Sequence, residues 1–243
     1  MKNVLVSLIL VSGLIYFGSC KKDDSNDPKK SKVQLIVKSS KTTPTRNVAN
    51  GFILESMKVN IAEIEFGIDE DALGLPENVV DSIVDAQELN GPFLIDLFST
   101  KAMAGLNLGA TLIPNATYEE VEFELDRCLD NTNQEMYGNS VFATGTLNGL
   151  PVKFWSKDEI EIEIDFPDST NFKLNGADFN LYLDFSIDKA KTALSKLDFS
   201  SAVDGNKNGI IEIGPNDTDG NNKLAHYLSE AIEDLFELDR END

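Results

Sequence analysis

From residue 32 onward the chain alternates apolar and polar residues with period two over most of its length, and a helical period appears only near the end. Lys32 to Lys38 predicts a first strand with Val33, Leu35 and Val37 on one face. Ser39 to Asn50 is rich in Thr, Pro and Asn and reads as a loop. Glu55 to Phe66 predicts a long strand whose apolar phase moves from Met57, Val59 and Ile61 to Ile64 and Phe66. That shift needs one extra residue near Ala62-Glu63, so a bulge is expected there. Residues 67–91, with Gly, Pro and many acids, form a long excursion. Phe93 to Phe98 is apolar on both faces and reads as a central strand. Residues 99–116 suggest a turn of helix and then a strand around Thr111-Leu112-Ile113.

The next strands are clearer. Tyr118 to Asp126 turns Val121, Phe123 and Leu125 inward and Glu120, Glu122, Glu124 and Asp126 outward. Val141 to Leu147 and Val152 to Trp155 flank Asn148-Gly149, the dipeptide most typical of a tight hairpin. Glu159 to Phe166 buries Ile160, Ile162, Ile164 and Phe166, and Phe179 to Phe185 buries Phe179, Leu181, Leu183 and Phe185. So many short alternating strands predict a mainly β chain: an antiparallel β-sandwich, immunoglobulin-like or transthyretin-like.

The C-terminal part changes period. Ser186 suits the N-cap of a helix over Ile187 to Leu197. A second helix is expected from about Asn222 to Leu238, with Leu224, Leu228, Ala231, Ile232 and Leu235 at helical spacing. One or both helices should pack on the sandwich. His226, followed by Glu230 and Glu233, falls on the outer face of the second helix.

The first two dozen residues obey neither period. Met1, Lys2 and Asn3 make a short basic start, Val4 to Phe17 an apolar run, and small Gly18 and Ser19 precede Cys20 and then Lys21-Lys22-Asp23-Asp24. The run falls short of the ~20 apolar residues of a spanning helix and reads as a removable export segment. It resembles the signal of bacterial lipoproteins, whose cysteine becomes the first residue and carries palmitate-type acyl chains. That family favours Leu three residues before the cysteine, where Phe17 stands here. The resemblance implies a membrane anchor at Cys20; burial at about 0.8 kcal/mol per methylene makes two or more chains a stable one. The lysines and acids after Cys20 are similar to the surface-export signal of Bacteroidetes-type lipoproteins. They imply an outer-membrane location with surface display, the periplasmic leaflet being the alternative. An uncleaved membrane helix and a cytoplasmic protein with an apolar start are the competing readings.

The expected organisation is therefore a signal over 1–19, a disordered tether over 20–31, a sandwich over 32–199 and an Asp/Asn-rich loop with a C-terminal helix over 200–243. A formal charge of -21 in 243 residues repels nucleic acid and anionic headgroups, and favours cations or basic partners. With Cys20 acylated, Cys128 has no disulfide partner and is expected to be a buried or half-buried apolar residue next to a strand end. One histidine argues against zinc and against most catalytic triads.

The succession MKVNIAEIEF, FLIDLF, TLIPNATYEEVEFEL and FNLYLDFSIDKA resembles a family of bacterial lipoprotein domains with no assigned function. That family has a Pro-Gly-x-Tyr turn where this chain has Asn115-Ala116-Thr117-Tyr118. The likeness covers roughly residues 32–195. It implies a β-sandwich and carries over no catalytic residue.

Asp204-Gly205-Asn206-Lys207-Asn208-Gly209-Ile210-Ile211-Glu212 places side-chain oxygens at alternate positions and glycine at the sixth, like the first half of an EF-hand loop. Calcium takes 6–8 oxygens, so Asp204, Asn206, Asn208, the Ile210 carbonyl and Glu212 are candidate ligands. Position twelve is Pro215 rather than glutamate, and Asp217, Asp219 and Asn221 are candidates for the missing oxygens. A bare turn without an ion is the competing reading. The acidic faces Glu120/Glu122/Glu124/Asp126 and Glu159/Glu161/Glu163/Asp165 are expected on strands that are not adjacent, or are separated by lysines such as Lys153 and Lys173, because opposed like charges destabilise a sheet. Such faces suit a cation or a basic partner. Trp155, with Phe154 and Tyr182, is a candidate sugar platform. Ser82 and Ser169 follow aspartate as in the Asp-Ser/Thr-apolar acceptor of Bacteroidetes O-glycosylation. Function is read first as a non-enzymatic binding, adhesion or envelope-assembly lipoprotein, its protein or glycan ligand unknown. A glycan-binding accessory lipoprotein of a nutrient-uptake system is second, and a carboxylate-dependent hydrolase third.

Overall fold

A computed structural model describes residues 29–40, 51–68, 88–166, 172–186, 189, 193, 196–233 and 235–240. The signal, most of the tether and the two acceptor candidates Ser82 and Ser169 lie outside the described residues.

The protein is mainly β, with two sheets forming a sandwich. The first sheet has the order β12-β10-β1-β4, made of β1 (Lys30–Ser40), β4 (Leu106–Pro114), β10 (Phe179–Ser186) and β12 (Phe236–Arg240). The second contains β2 (Phe52–Ile68), β3 (Phe93–Asp96), β5 (Thr117–Leu125), β6 (Val141–Leu147), β7 (Leu150–Ser156), β8 (Ile160–Asp165), β9 (Phe172–Lys173) and β11 (Ile211–Ile213). Most pairings are antiparallel; β1 with β10 and β7 with β11 are parallel. Helix α1 (Thr100–Ala104) is capped by the Ser99 hydroxyl, and α2 (Asn222–Glu233) packs on β7, β8 and β11.

Alternation explains the layering. Val33, Leu35 and Val37 of β1 and Leu181, Leu183 and Phe185 of β10 join Ile64, Phe66, Val121, Phe123, Ile160 and Ile162 of the second sheet in one core cluster. Each such side chain contributes roughly 1.5–3 kcal/mol by leaving water. At one end Tyr118, Phe166 and Phe179 pack against Phe172 with tilted rings, and the Tyr118 hydroxyl donates to the Pro114 carbonyl at 2.8 Å.

Strand β2 organises the second sheet. The expected bulge is present between Ile61 and Glu63, and another lies between Leu54 and Ser56, where the buried phase changes from Leu54 to Met57. β6 pairs with β2 from Phe52 to Val59, and β5 pairs from Ile61 to Ile68. Asn60 sits at the seam. Its N–H donates to the Ser140 carbonyl at 3.0 Å and its carbonyl accepts from the Asp126 N–H at 3.2 Å. Both groups of one strand residue point to the same side, so β5 and β6 lie end to end along one edge of β2. β8 and β7 continue the arrangement outward. Asn148 and Gly149 both take positive φ, as the tight β6–β7 turn requires.

Three expectations are corrected. Phe93 to Phe98 gives a strand of only four residues, which among the described residues pairs with β2 alone, because Leu97 and Phe98 turn into α1. The C-terminal helix ends at Glu233, and Phe236–Arg240 forms a strand antiparallel to β10. Residues 200–243 therefore supply a strand to each sheet, through β11 and β12. The helix expected over Ile187 to Leu197 falls largely outside the described residues; the Ser186 hydroxyl accepts from the Lys189 N–H at 3.3 Å, as an N-cap does. Cys128 is buried, as expected, and its backbone forms an isolated β-bridge with Tyr137.

Candidate functional site

The acidic strand faces meet. β5 pairs directly with both β2 and β8, which corrects the expectation of separated strands. Its register sets three rows across the outer face: Glu63–Glu124–Glu161, Glu65–Glu122–Glu163 and Gly67–Glu120–Asp165. Neighbours in such rows have Cβ atoms about 4.5–5.5 Å apart. Neither lysine named for the gap enters it, since Lys153 pairs with Thr144 and Glu212, and Lys173 with Thr117. Gly67 matters at the end of its row, because the Glu120 side chain lies over the space a Cβ would fill.

Within this face two triads of carboxylates approach within 4.8 Å of one another: Glu63, Glu65 and Glu88, and Glu120, Glu163 and Asp165. Proton affinities respond. A hydrogen bond donated to the Glu88 carboxylate, with partial burial and the charges of Glu88, Glu65 and Glu124, pushes Glu63 up from 4.5 to about 7. Partial burial, then hydrogen bonding to Glu163 and the charges of Glu163, Glu119 and Asp165, does the same for Glu120, to about 7. Glu122 and Glu124 are also raised, by partial burial and then by neighbouring carboxylates. In each triad one carboxyl is therefore held well above the ordinary glutamate range by the acids beside it. A cation supplies the same charge compensation.

The calcium candidate is ordered by its own side chains. Asp204 accepts from the Asn208 and Gly209 N–H groups at 3.0 and 2.9 Å, and Asn206 and Asn208 accept from Asn208 and Ile210 at 2.9 and 2.8 Å. Lys207 and Gly209 both take positive φ, which folds the loop around its oxygens. Asp219, 7% exposed, accepts from the Asn206 and Glu212 N–H groups at 3.0 and 2.7 Å and so points back into the loop. Asp217 instead accepts from Gly214, Asp219, Gly220 and Asn221, serving the turn before α2. Glu212 takes the Asn206 amide and the Thr218 hydroxyl. The carboxylates of Asp204, Glu212 and Asp219 do not come as close as those of the two triads.

Other candidates do not assemble. Phe154 faces the core, Tyr182 lies on the other sheet, and the ring of Trp155 packs on Gly214 so tightly that a Cβ has no room there. His226 is exposed, with Glu230 3.4 Å away. Between α2 and the second sheet lies a wholly apolar cavity of about 30 Å³, lined by Met57, Phe154, Ile213, Leu228, Ile232 and Leu235. It has room for about one water but offers it no polar partner. Among the described residues no helix is long and apolar enough to cross a membrane.

The fold and site thus define a two-sheet β protein with an acidic ladder on one face. No protein-family model matches the chain, and neither a curated protein nor a solved structure gives a significant match.

The raised carboxyls make stability depend on pH with a definite sign. Between about pH 4.5 and 7 the folded chain binds more protons than the unfolded one, so stability is greatest at the acid end and falls as pH rises. The melting temperature should drop between pH 5 and pH 8. Glu120→Gln should raise it at pH 8 by about 2–4 °C, the shift of roughly 1 kcal/mol in a chain this size, screening by solvent included. The variant should also flatten the pH slope. A melting temperature that rises with pH over this range would contradict the account.

Proposed function

We propose that the chain is a lipid-anchored envelope lipoprotein acting as a non-enzymatic binding module, with the acidic ladder as its working face and a basic protein surface as its partner. The observation that supports this most is the ladder itself. Eight carboxylates stand in three rows over three hydrogen-bonded strands. Such an array adds nothing to sheet stability and produces a strong negative potential that attracts cationic groups. The anchor rests on the apolar run before Cys20 and the polar segment after it. Surface display at the outer membrane is the location proposed with it.

The alternatives gain less. Glycan binding lacks its platform, since Trp155, Phe154 and Tyr182 do not converge. A glycosidase needs two carboxyls separated by about 5–10 Å in a cleft, whereas here the raised acids touch their neighbours on an open sheet face.

Growth with an alkyne-tagged palmitate should label the wild-type chain and not Cys20→Ser. The purified protein should bind an oligolysine peptide, more weakly as salt rises. The triple change Glu65→Gln, Glu122→Gln and Glu163→Gln should lower that affinity at least tenfold. Equal affinity in the two proteins would remove the ladder from the proposal.

We propose calcium as a stabilising ion in the 204–219 loop, held by Asp204, Asn206, Asn208, the Ile210 carbonyl and Glu212, with Asp219 closing the shell. Trp155 reports on it, because its ring lies on Gly214 two residues beyond Glu212. Calcium should change the tryptophan fluorescence and raise the melting temperature of wild type but not of Asp204→Ala. No heat on titrating calcium into wild type would leave the loop as a self-satisfied turn.

A further inference from the structure

We infer that the outer face of the first sheet, at the N-terminal end of β1, rests on the lipid headgroups of the membrane holding the anchor, so that the acidic ladder is carried on the side away from the lipid. This rests on the Cys20 anchor proposed above and is independent of what the ladder binds.

The outward positions of β1 alternate with the buried Val33, Leu35 and Val37, and begin Lys30, Lys32, Gln34. Lys29, Lys30 and Lys32 are all exposed. Lys32 pairs across to Leu112 of β4, a leucine 57% exposed, and Lys30 pairs to Pro114. Exposed Asp178, level with Lys32 on the β10 flank, offsets part of this charge. Lysines beside an outward leucine are suited to the headgroup layer, where the stems and the leucine meet apolar surface and the ammonium groups meet phosphate.

Chain length restricts the choice of face. Only eight residues, Lys21 to Pro28, separate Cys20 from Lys29. Such a segment reaches ~30 Å fully extended and about 16 Å as a flexible coil. The end of the body that carries the start of β1 is therefore held close to the lipid. The ladder lies on the far sheet, beyond a sandwich whose layers pack about 10 Å apart. With a screening length of ~8 Å at physiological salt, carboxylates behind the sandwich scarcely sense an anionic membrane. Turned the other way, they would lie directly against it.

The test uses the full acylated chain in vesicles of phosphatidylethanolamine and phosphatidylglycerol. A fluorophore is placed at Leu112→Cys or at Glu163→Cys, and headgroup-attached nitroxide lipid is the quencher. Quenching should be several-fold stronger at position 112 than at 163, and Lys30→Glu with Lys32→Glu should reduce the difference while the chain still floats with the vesicles. Equal quenching at both positions, or stronger quenching at 163, on a chain that floats would overturn the orientation alone. A wild-type chain that neither takes up palmitate nor floats would overturn the anchor and the orientation together.

Discussion

The burial of Val121, Phe123 and Leu125 against Ile64, Phe66, Ile160 and Ile162 is the constraint from which the other features follow. Side chains alternate across a strand, so a slip of one residue would send all of these groups into water. The core therefore fixes the register of β5 between β2 and β8, and the register in turn decides which glutamates face one another. The strands are not re-paired to escape that repulsion; instead Glu63 and Glu120 are pushed toward their protonated forms by hydrogen bonds to Glu88 and to Glu163 of the adjacent row.

The same dependence runs through the C-terminal segment. Glu212 and Ile213 are adjacent residues of β11, yet one faces the Asp/Asn loop and the other lines the apolar contact with α2. Asn221 joins the two regions, accepting from the Val203 N–H at 3.1 Å and donating to the carbonyls of Val203 and Glu212 at 2.9 and 2.8 Å. Order in the loop is thereby tied to the seating of α2, and the loop belongs to the sandwich rather than to an appendage.

Much of this was legible in the sequence. The inward sets of β1, β5, β8 and β10, the Asn148-Gly149 hairpin and the bulge near Ala62 are all local signals, and they match the structure. The acidic strands are adjacent, against expectation, because burial beneath them outweighs the repulsion across them. A cross-strand like-charge pair costs no more than about 1 kcal/mol, and each buried Ile or Phe beneath it contributes more than that. The helical spacing of Leu224, Leu228, Ala231, Ile232 and Leu235 extends the expected helix to about Leu238, over the residues that form β12. What makes it a strand is the edge of β10, a non-local partner that a period cannot reveal. The parallel pairings of β1 with β10 and of β7 with β11 have the same origin. Of the site, the acids of β5 and β8 were visible as two strand faces, but Glu63, Glu65 and Glu88 were not singled out, because their approach to those faces depends on strand order.

The most direct measurement is a carbon-detected NMR titration of the glutamate side-chain carboxyls. The account predicts midpoints near 7 for Glu63 and Glu120, with Glu122 and Glu124 raised above 4.5. A face on which all of these titrate as isolated glutamates near 4.5 would contradict it.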